Sequence, residues 1–176
     1  GKISHSSGDF FEVVGIRTQT NEREVQSGWD QPLLRQVGFD GGILGIIRSR
    51  INNVPYYLLE AKFEPGNYGF VQLSPTLQAT FSNINKKHGG RKPHFCDLFL
   101  NRNDDPDVKV LFETWLSEDG GRLDRKRNKG ILIEVDPDKI VIPNRNFKWV
   151  SLFQIKKLTY ENSYLSPHVR GILSYS

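Results

Sequence analysis

Apolar and polar residues alternate over several stretches of the chain, a pattern typical of β-strands. The strands that this pattern predicts cover residues 10–19, 42–50, 54–64, 108–118 and 129–135. Asn52-Asn53 lies between two of these strands. Because asparagine is favoured in tight turns, we expect a hairpin there. Gly120-Gly121 indicates a second turn, before the last strand.

Apolar residues at three-residue spacing predict a helix in the carboxyl-terminal part of the sequence. Its apolar stripe consists of Trp149, Leu152, Ile155 and Leu158. Ser166-Pro167 suits the cap and first position of a final helix. Phe81 and Ile84 would lie on one side of a further short helix or turn. The sum is an α+β fold: a mixed, mostly antiparallel sheet with a few short helices.

The strand predicted at residues 54–64 turns polar towards its end. Side chains two apart on a strand lie about 7 Å from one another on the same face. Glu60, Lys62 and Glu64 would therefore form a row of carboxylate, ammonium and carboxylate. The opposite face, which carries Leu59, is expected to be the core. A solvated surface would explain the polar row, and a binding site is the alternative.

Uncharged hydrogen-bonding side chains follow the turn at Pro65-Gly66-Asn67 in close succession. They are Gln72, Ser74, Thr76, Gln78 and Thr80. Neutral donors and acceptors beside a few charges are what a sugar requires, because amides, hydroxyls and carboxylates can each bond its hydroxyl groups. The continuation of the strand therefore favours a carbohydrate site.

Basic side chains are concentrated in the segment at residues 122–129. They are Arg122, Arg125, Lys126, Arg127 and Lys129. A basic surface loop is one interpretation, and a diphosphate site is another, because guanidinium groups pair with phosphate oxygens in a bidentate way. Asp119 and Asp124 interrupt the run, so no nucleic-acid partner is predicted.

Length and composition limit the class of protein. A chain of 176 residues is enough for one domain with a real core, so residues 1–176 are expected to form a single domain. A hydrophobic fraction of 37% with 11 Phe excludes a disordered chain. The single Cys96 excludes a disulfide framework and fits a reducing cytoplasm. No apolar run approaches the roughly 20 residues that span a bilayer, so no membrane partner is predicted.

The sequence contains no glycine-rich phosphate loop, dinucleotide fingerprint or nucleophile elbow. Its histidines are scattered without a metal-ligand spacing such as HExxH. They are His5, His88, His94 and His168. We therefore predict no catalytic metal, and we expect each histidine to be a hydrogen-bonding or surface residue.

Several stretches together resemble the nucleotide-hexose 2,3-dehydratases, enzymes of deoxysugar biosynthesis. The most specific is AKFEPGN followed by VQLSPTLQAT and SN, within residues 61–83. The further similar stretches are HSSGDFFEVVGI at 5–16, REVQSGWDQPLL at 23–34, GILG at 42–45, LSEDGGRLDRKRN at 116–128, and FKWVSLFQIKKL at 147–158 with Arg170. The resemblance extends over nearly the whole chain.

The resemblance implies a fold like that of the Nudix hydrolases, without a Nudix box and hence without diphosphate hydrolysis. Family members usually hold two such repeats in tandem. This chain has one repeat, and two copies of it could restore the tandem arrangement by forming a homodimer. The family reaction removes water from a 4-keto-6-deoxyhexose linked to dTDP and gives a 3,4-diketo-2,6-dideoxy sugar. It requires no redox cofactor.

Such an elimination needs a base, donors to the ketone oxygen and an acid for the departing hydroxyl. Glu64 is the candidate base, Lys62 and Asn67 would polarise the ketone, and Glu118 or His88 would assist the hydroxyl. The predicted substrate-binding residues are Asn67, Gln72, Ser74, Thr76, Gln78, Asn83, Lys126, Arg127, Asn128, Trp149 and Arg170.

The chain departs from the family pattern at three positions. Phe81 stands where arginine is usual, Ile84 where tyrosine is usual and Glu60 where glutamine is usual. The first two replacements remove plausible substrate contacts. A noncatalytic nucleotide-sugar-binding or dimerising Nudix-like module is therefore the alternative function.

Overall fold

The computed structural model describes residues 3–20, 27–86 and 91–175. The chain divides into two compact units, here called unit 1 (Gly1–Gly41 and Ser117–Asn128) and unit 2 (Gly42–Leu116 and Lys129–Ser176). The single domain expected from the sequence stays a prediction. Residues 23–26 of the family-like motif and His88 lie outside the described residues.

Unit 1 contains a three-stranded antiparallel sheet in the order β1-β2-β3. Its strands are β1 (Ile3–Ser4), β2 (Phe11–Thr18) and β3 (Trp29–Gln36), and a 3-10 turn follows at Val37–Phe39. The strand predicted at residues 10–19 is thus confirmed. Leu34 joins this sheet to the segment at residues 117–128: its N–H donates to the Arg122 carbonyl at 2.9 Å, and its carbonyl accepts from Asp124 N–H at 3.0 Å.

Unit 2 is built on a seven-stranded sheet. The strands are β4 (Gly42–Ile51), β5 (Val54–Phe63), β6 (Val71–Ser74), β7 (Leu77–Thr80), β8 (Lys109–Ser117), β9 (Arg127–Glu134) and β10 (Phe147–Ser151), of which β8 belongs to unit 2 up to Leu116 and β9 from Lys129. The helices are α1 (Phe81–Ile84), α2 (Cys96–Leu100), α3 (Leu152–Thr159) and α4 (Pro167–Leu173), with a 3-10 turn at Pro137–Lys139.

The sheet has the order β10-β5-β4-β9-β8, and β6 pairs with β5 while β7 pairs with β4. The pairing of β4 with β9 is parallel, whereas β4 and β5 form an antiparallel hairpin. Asn52 and Asn53 turn this hairpin with positive φ angles of 51° and 63°. The expected mixed, mostly antiparallel sheet flanked by short helices is therefore confirmed, and so is the hairpin.

Both faces of this sheet are covered. One face forms the first core cluster, which contains Leu58 of β5, Ile84 of α1 and Phe99 of α2. The other forms the second core cluster, which contains Leu59 of β5 and residues of α3 and α4. Leu58 and Leu59 are both 0% exposed. The face that carries Leu59 is core, as the sequence predicts, and the start of the opposite face at Leu58 is core as well, because helices lie over each face.

The helix predicted around residues 149–158 begins later than its apolar spacing indicates. Trp149 belongs to β10, and α3 begins at Leu152 after the cap residue Ser151. The Ser151 and Gln154 side chains each bond the other's backbone N–H, which fixes the start of the helix. The final helix is confirmed with Ser166 as its cap and Pro167 as its first residue.

Candidate functional site

The polar row predicted on β5 lies at the end of the strand in unit 2. The Lys62 ammonium is 3.1 Å from Glu64 Oε1, and its Nζ donates to the Gln78 carbonyl on β7 at 3.4 Å. Because strand partners share a face, Glu60 points the same way as its partners Ser74 on β6 and Phe147 on β10. The polar row therefore lies on the same face of β5 as Leu58, which belongs to the first core cluster.

Glu60, a predicted member of the polar row, interacts electrostatically with His94, which sequence reasoning did not assign to this site. Burial raises the pKa of the Glu60 carboxyl, while the charges of Lys62 and His94 oppose that rise and Glu64 adds to it. The His94 ring lies edge-on to Phe147, with the ring centres 5.9 Å apart. No spacing in the sequence connects residues 60 and 94, because their proximity depends on the sheet and on the segment before α2.

Asn67 lies in the turn that follows β5. Its N–H donates to the Glu64 carbonyl at 3.0 Å, and its own carbonyl accepts from Phe70 N–H at the same distance. Glu64 N–H in turn donates to the Phe70 carbonyl at 2.9 Å. These bonds close the turn and hold the backbone of the proposed base, Glu64, in place.

Two of the predicted substrate-binding hydroxyls are buried within the sheet. Thr76 is 2% exposed, and its Oγ1 accepts from Ile47 N–H at 3.0 Å and donates to the Leu58 carbonyl. The hydroxyl thus bridges β4 and β5 where β4 changes its partner from β5 to β7. Ser74 is also 2% exposed. A role of either residue in binding stays a prediction.

Gln72 and Arg170 line a polar cavity of about 290 Å³. The other residues that line it are Leu158, Thr159, Glu161, Asn162, Ser163, Leu165 and Pro167. The Gln72 amide donates to the Ser163 carbonyl at 2.7 Å. Lys62 and Glu64 are not among the residues that line this cavity. Within unit 2 the structure therefore brings together two groups of predicted residues, one around Lys62 and one around Arg170.

Two further predicted residues of unit 2 lie on elements of the first core cluster. Trp149 is a partly buried residue of β10 that packs against this cluster. Asn83 lies on α1, where its backbone N–H donates to the cap residue Thr80 at 3.3 Å. Neither contact tests a role in binding.

Unit 1 holds the predicted residues of the basic segment. The Asn128 amide donates to Glu118 Oε1, and Lys126 Nζ donates to Asn128 Oδ1 at 2.8 Å. Burial lowers the pKa of Lys126, and the Glu118 charge opposes that shift. Arg127 is exposed. Within the unit, Glu118, Asn128 and Lys126 thus form one hydrogen-bonded chain.

A larger cavity of about 510 Å³ lies on β2 and β3 of unit 1. These strands carry no predicted site residue, and the charged row around Lys62 is chemically better suited to catalysis. Over residues 3–20, 27–86 and 91–175, no group of three or more His, Cys, Asp or Glu side chains is arranged to hold a metal ion. Nor does the described chain contain a helix of the length and hydropathy needed to cross a membrane.

Curated relatives match nearly the whole chain. A protein of Saccharopolyspora spinosa named dTDP-4-dehydro-6-deoxy-alpha-D-glucopyranose 2,3-dehydratase is 38% identical over 172 residues, which cover 98% of this chain and 34% of the relative. A protein of the same name from Amycolatopsis orientalis is 35% identical over 178 residues, which cover 99% of this chain and 36% of the relative. The chain thus spans about a third of the length of these relatives.

Solved structures similar to this fold include an Ap4A hydrolase of C. elegans and a Nudix hydrolase of M. Smegmatis. The first is 14% identical with a TM-score of 0.43 and covers 76% of this chain and 92% of that chain. The second is 12% identical with a TM-score of 0.46 and covers 84% of this chain and 91% of that chain. Both TM-scores are below 0.5. The α+β fold of this chain is therefore established by its own mixed sheet and helices.

The family model described as NDP-hexose 2,3-dehydratase matches residues 1–175. The match includes the row around Lys62 in unit 2 and the basic residues between 122 and 127 in unit 1. The chain therefore belongs to the NDP-hexose 2,3-dehydratase family.

Proposed function

We propose that this chain takes part in the removal of water from a 4-keto-6-deoxyhexose linked to a nucleoside diphosphate. The nucleoside diphosphate that we propose is dTDP. The product would be a 3,4-diketo-2,6-dideoxy sugar. The observation that carries the proposal is the position of Lys62, whose ammonium lies 3.1 Å from a carboxylate at the end of β5. Membership of the family and the names of the curated relatives support the substrate class.

The ketone at C4 acidifies the proton on C3, and a base must remove it. Glu64 fits this role because its side chain is 41% exposed and remains accessible beside the Lys62 ammonium. An ammonium group has three donors. Two of those of Lys62 are directed at Glu64 and at the Gln78 carbonyl. The third would stabilise the negative charge that develops on the ketone oxygen.

The test is incubation of the chain with dTDP-4-keto-6-deoxyglucose and a 3-ketoreductase, followed by detection of the 2-deoxy product. Glu64→Gln should lower the turnover rate by at least 10²-fold, the scale of a lost general base, while dTDP binding persists. Asp104→Asn, a change in an exposed loop, is the matched control and should turn over normally. A near-normal rate for Glu64→Gln would remove Glu64 from the mechanism.

A noncatalytic nucleotide-sugar-binding module is the second candidate. The observation that favours it concerns Phe81 and Ile84 on α1, two positions at which this chain differs from the family pattern. Phe81 packs against the first core cluster, and Ile84 is 6% exposed within it. Both side chains therefore contribute to packing at positions where polar contacts to a substrate would be expected. Absence of turnover together with a melting temperature raised by dTDP would support this candidate.

The proposal includes a homodimer, which the exposed aromatic surface of unit 2 supports. Phe63 and Phe70 stack with ring centres 6.0 Å apart and are 63% and 59% exposed, and Tyr68 beside them is 82% exposed. Apolar patches of this kind often mark contact surfaces. Measurement of solution mass over a range of concentrations tests the dimer, and a monomer at all concentrations would contradict it. The cytoplasmic location stays a prediction, compatible with the free, buried Cys96.

A further inference from the structure

The polar cavity around Arg170 adjoins the charged row around Lys62 through one shared residue, Gln72. Lys62 and Gln72 are partners in the antiparallel pairing of β5 with β6. Their side chains therefore lie on the same face of the sheet, with Cβ atoms about 5 Å apart. Gln72 is also one of the residues that line the cavity of about 290 Å³. One side chain thus belongs both to the surroundings of Lys62 and to the cavity wall.

Backbone hydrogen bonds fix the wall of the cavity next to β6. Leu73 N–H donates to the Tyr164 carbonyl at 2.8 Å, and the Leu73 carbonyl accepts from Ser166 N–H at 3.0 Å. Residues 163–166 therefore follow the outer edge of β6, two strand spacings or about 10 Å from β5. A wall that is already fixed loses little conformational entropy when a ligand binds.

Arg170 gives this cavity a positive charge that no described carboxylate neutralises. The residue is exposed on α4. Among residues 3–20, 27–86 and 91–175, its guanidinium has no hydrogen-bond or ion-pair partner. Guanidinium groups pair with phosphate oxygens in a bidentate way. The charge of Arg170 is therefore available to a ligand that carries phosphate.

The basic segment at residues 122–129 is the alternative position for a phosphate group. Three of its side chains are already paired with carboxylates. These pairs are Arg122 with Asp119, Arg125 with Asp124, and Lys129 with Glu113. Each carboxylate competes with phosphate for the cation that it contacts, so this segment is less suited to an anion than the cavity around Arg170.

We infer that the cavity binds the diphosphate of the nucleotide sugar, with Arg170 pairing with its phosphate oxygens. This inference depends on the proposed function and deepens it, because it places the two ends of the substrate. In a nucleotide sugar the diphosphate is attached to C1, across the pyranose ring from the ketone at C4. With the diphosphate at Arg170, the ring extends past Gln72 towards Lys62, the donor to the ketone oxygen.

Glu161 also lines the cavity, and its charge limits which anions bind there. A carboxylate repels a bare phosphate ion but accepts a hydrogen bond from a hydroxyl group. The deoxyribose of dTDP carries a free 3′-hydroxyl, so dTDP satisfies both Arg170 and Glu161, whereas inorganic pyrophosphate satisfies only Arg170. The cavity lies near the lower end of small-molecule sites, about 300 Å³, which suits a diphosphate with its pentose rather than the whole substrate.

Titration calorimetry with dTDP tests the role of Arg170. Arg170→Ala should weaken dTDP binding by about 10- to 100-fold, the scale of lost hydrogen bonds between charged groups. Arg170→Lys, which keeps the charge without the bidentate fork, should recover part of the affinity. Arg50→Ala removes an exposed arginine at the hairpin end of β4, and this matched control should bind dTDP normally.

The melting temperature of Arg170→Ala without ligand should equal that of wild type, because the side chain is exposed. Unchanged dTDP affinity in this folded variant would overturn the site. So would a loss of affinity in Arg127→Ala that Arg170→Ala does not share, because the diphosphate would then bind at the basic segment.

Glu161→Ala gives effects of opposite sign on two ligands. It should weaken dTDP binding, because the 3′-hydroxyl loses its acceptor, and strengthen the binding of inorganic pyrophosphate, because a repulsive charge is removed. Equal weakening of both ligands would contradict the contact of Glu161 with the deoxyribose.

Turnover of dTDP-4-keto-6-deoxyglucose separates this site from the proposed function. Arg170→Ala should raise KM by about 10- to 100-fold and leave kcat within about threefold of wild type, because the phosphates are remote from the bonds that change. A lower kcat with an unchanged KM would overturn the assignment of Arg170 and leave the dehydration standing. Binding of dTDP through Arg170 without any turnover by the wild-type chain would refute the dehydration and leave the diphosphate site standing.

Discussion

Thr76 illustrates how a polar residue that suits a sugar can instead belong to the backbone of a sheet. Its hydroxyl bonds the Ile47 N–H and the Leu58 carbonyl where β4 changes partner. The sequence identified Thr76 and Ser74 as uncharged hydrogen-bonding groups, and this description is correct. It could not separate a ligand contact from a buried internal bond, because both require the same donor and acceptor and only the fold decides which is present.

Thr76→Val should lower the free energy of unfolding by about 1–3 kcal/mol, because valine fits the space but leaves two buried backbone groups without their partner. The measurement is urea unfolding at neutral pH. Thr159→Val, which changes an exposed hydroxyl bonded within its own helix, should stay within about 0.5 kcal/mol of wild type. Equal effects of the two substitutions would contradict the bridging role of Thr76.

The charged part of the site was more predictable than its neutral part. Period two along β5 was enough to place Glu60, Lys62 and Glu64 on one face, and the bond between Lys62 and Glu64 agrees with that arrangement. His94 was missed because its position depends on its contact with Phe147, a residue of a strand that the sequence did not predict.

At the scale of elements, the sequence predicts those helices and hairpins whose ends carry characteristic turn or cap residues. The hairpin at Asn52-Asn53 and the helix starting at Ser166-Pro167 are such cases. The three-residue spacing predicts a helix that includes Trp149, because the spacing continues by chance across the cap residue Ser151. The short elements β6, β7 and α2 were not predicted, since four or five residues carry too little periodicity to identify them.

Gly45 on β4 and Gly171 on α4 should respond to alanine in opposite ways. A Cβ at Gly45 would overlap the ring of Phe99, which is 0% exposed, so Gly45→Ala should destabilise the protein by about 1–3 kcal/mol. A Cβ at Gly171 meets nothing within 4 Å, and in a helix Gly171→Ala should stabilise by about 0.5–1 kcal/mol.

Thermal unfolding of both glycine variants beside wild type is the measurement. A melting temperature that rises for Gly45→Ala would show that α2 can move away from β4 without cost. It would contradict the close packing of Phe99 against that strand.

At the scale of the whole molecule, acid should destabilise the fold partly through Asp124. The bond from Arg35 Nε at 2.5 Å is the main reason that the pKa of Asp124 lies below its ordinary value. A lowered native pKa stabilises the fold above the unfolded-state value of about 3.9. This contribution is lost as the pH falls through the lower native value.

Asp124→Asn should therefore lower the free energy of unfolding at pH 7 by about 1–3 kcal/mol, the scale of a lost hydrogen bond to a charged group. It should also lose less stability than wild type between pH 5 and pH 3, as described in general by proton linkage. Urea titrations across that range provide the measurement. Parallel pH profiles for the two proteins would show that Asp124 does not contribute to acid sensitivity.

The parallel pairing of β4 with β9 also has a kinetic consequence. It brings together Arg48 and Glu134, which are 86 positions apart, whereas β5 reaches β4 through a two-residue turn. Closing so long a loop costs chain entropy before the strand pairing contributes any stability. Non-local contacts of this kind therefore slow folding. We therefore expect the β4–β5 hairpin to form early and β9 to join it late. Until then the newly made chain would expose one edge of β4, the interval in which it is most open to aggregation.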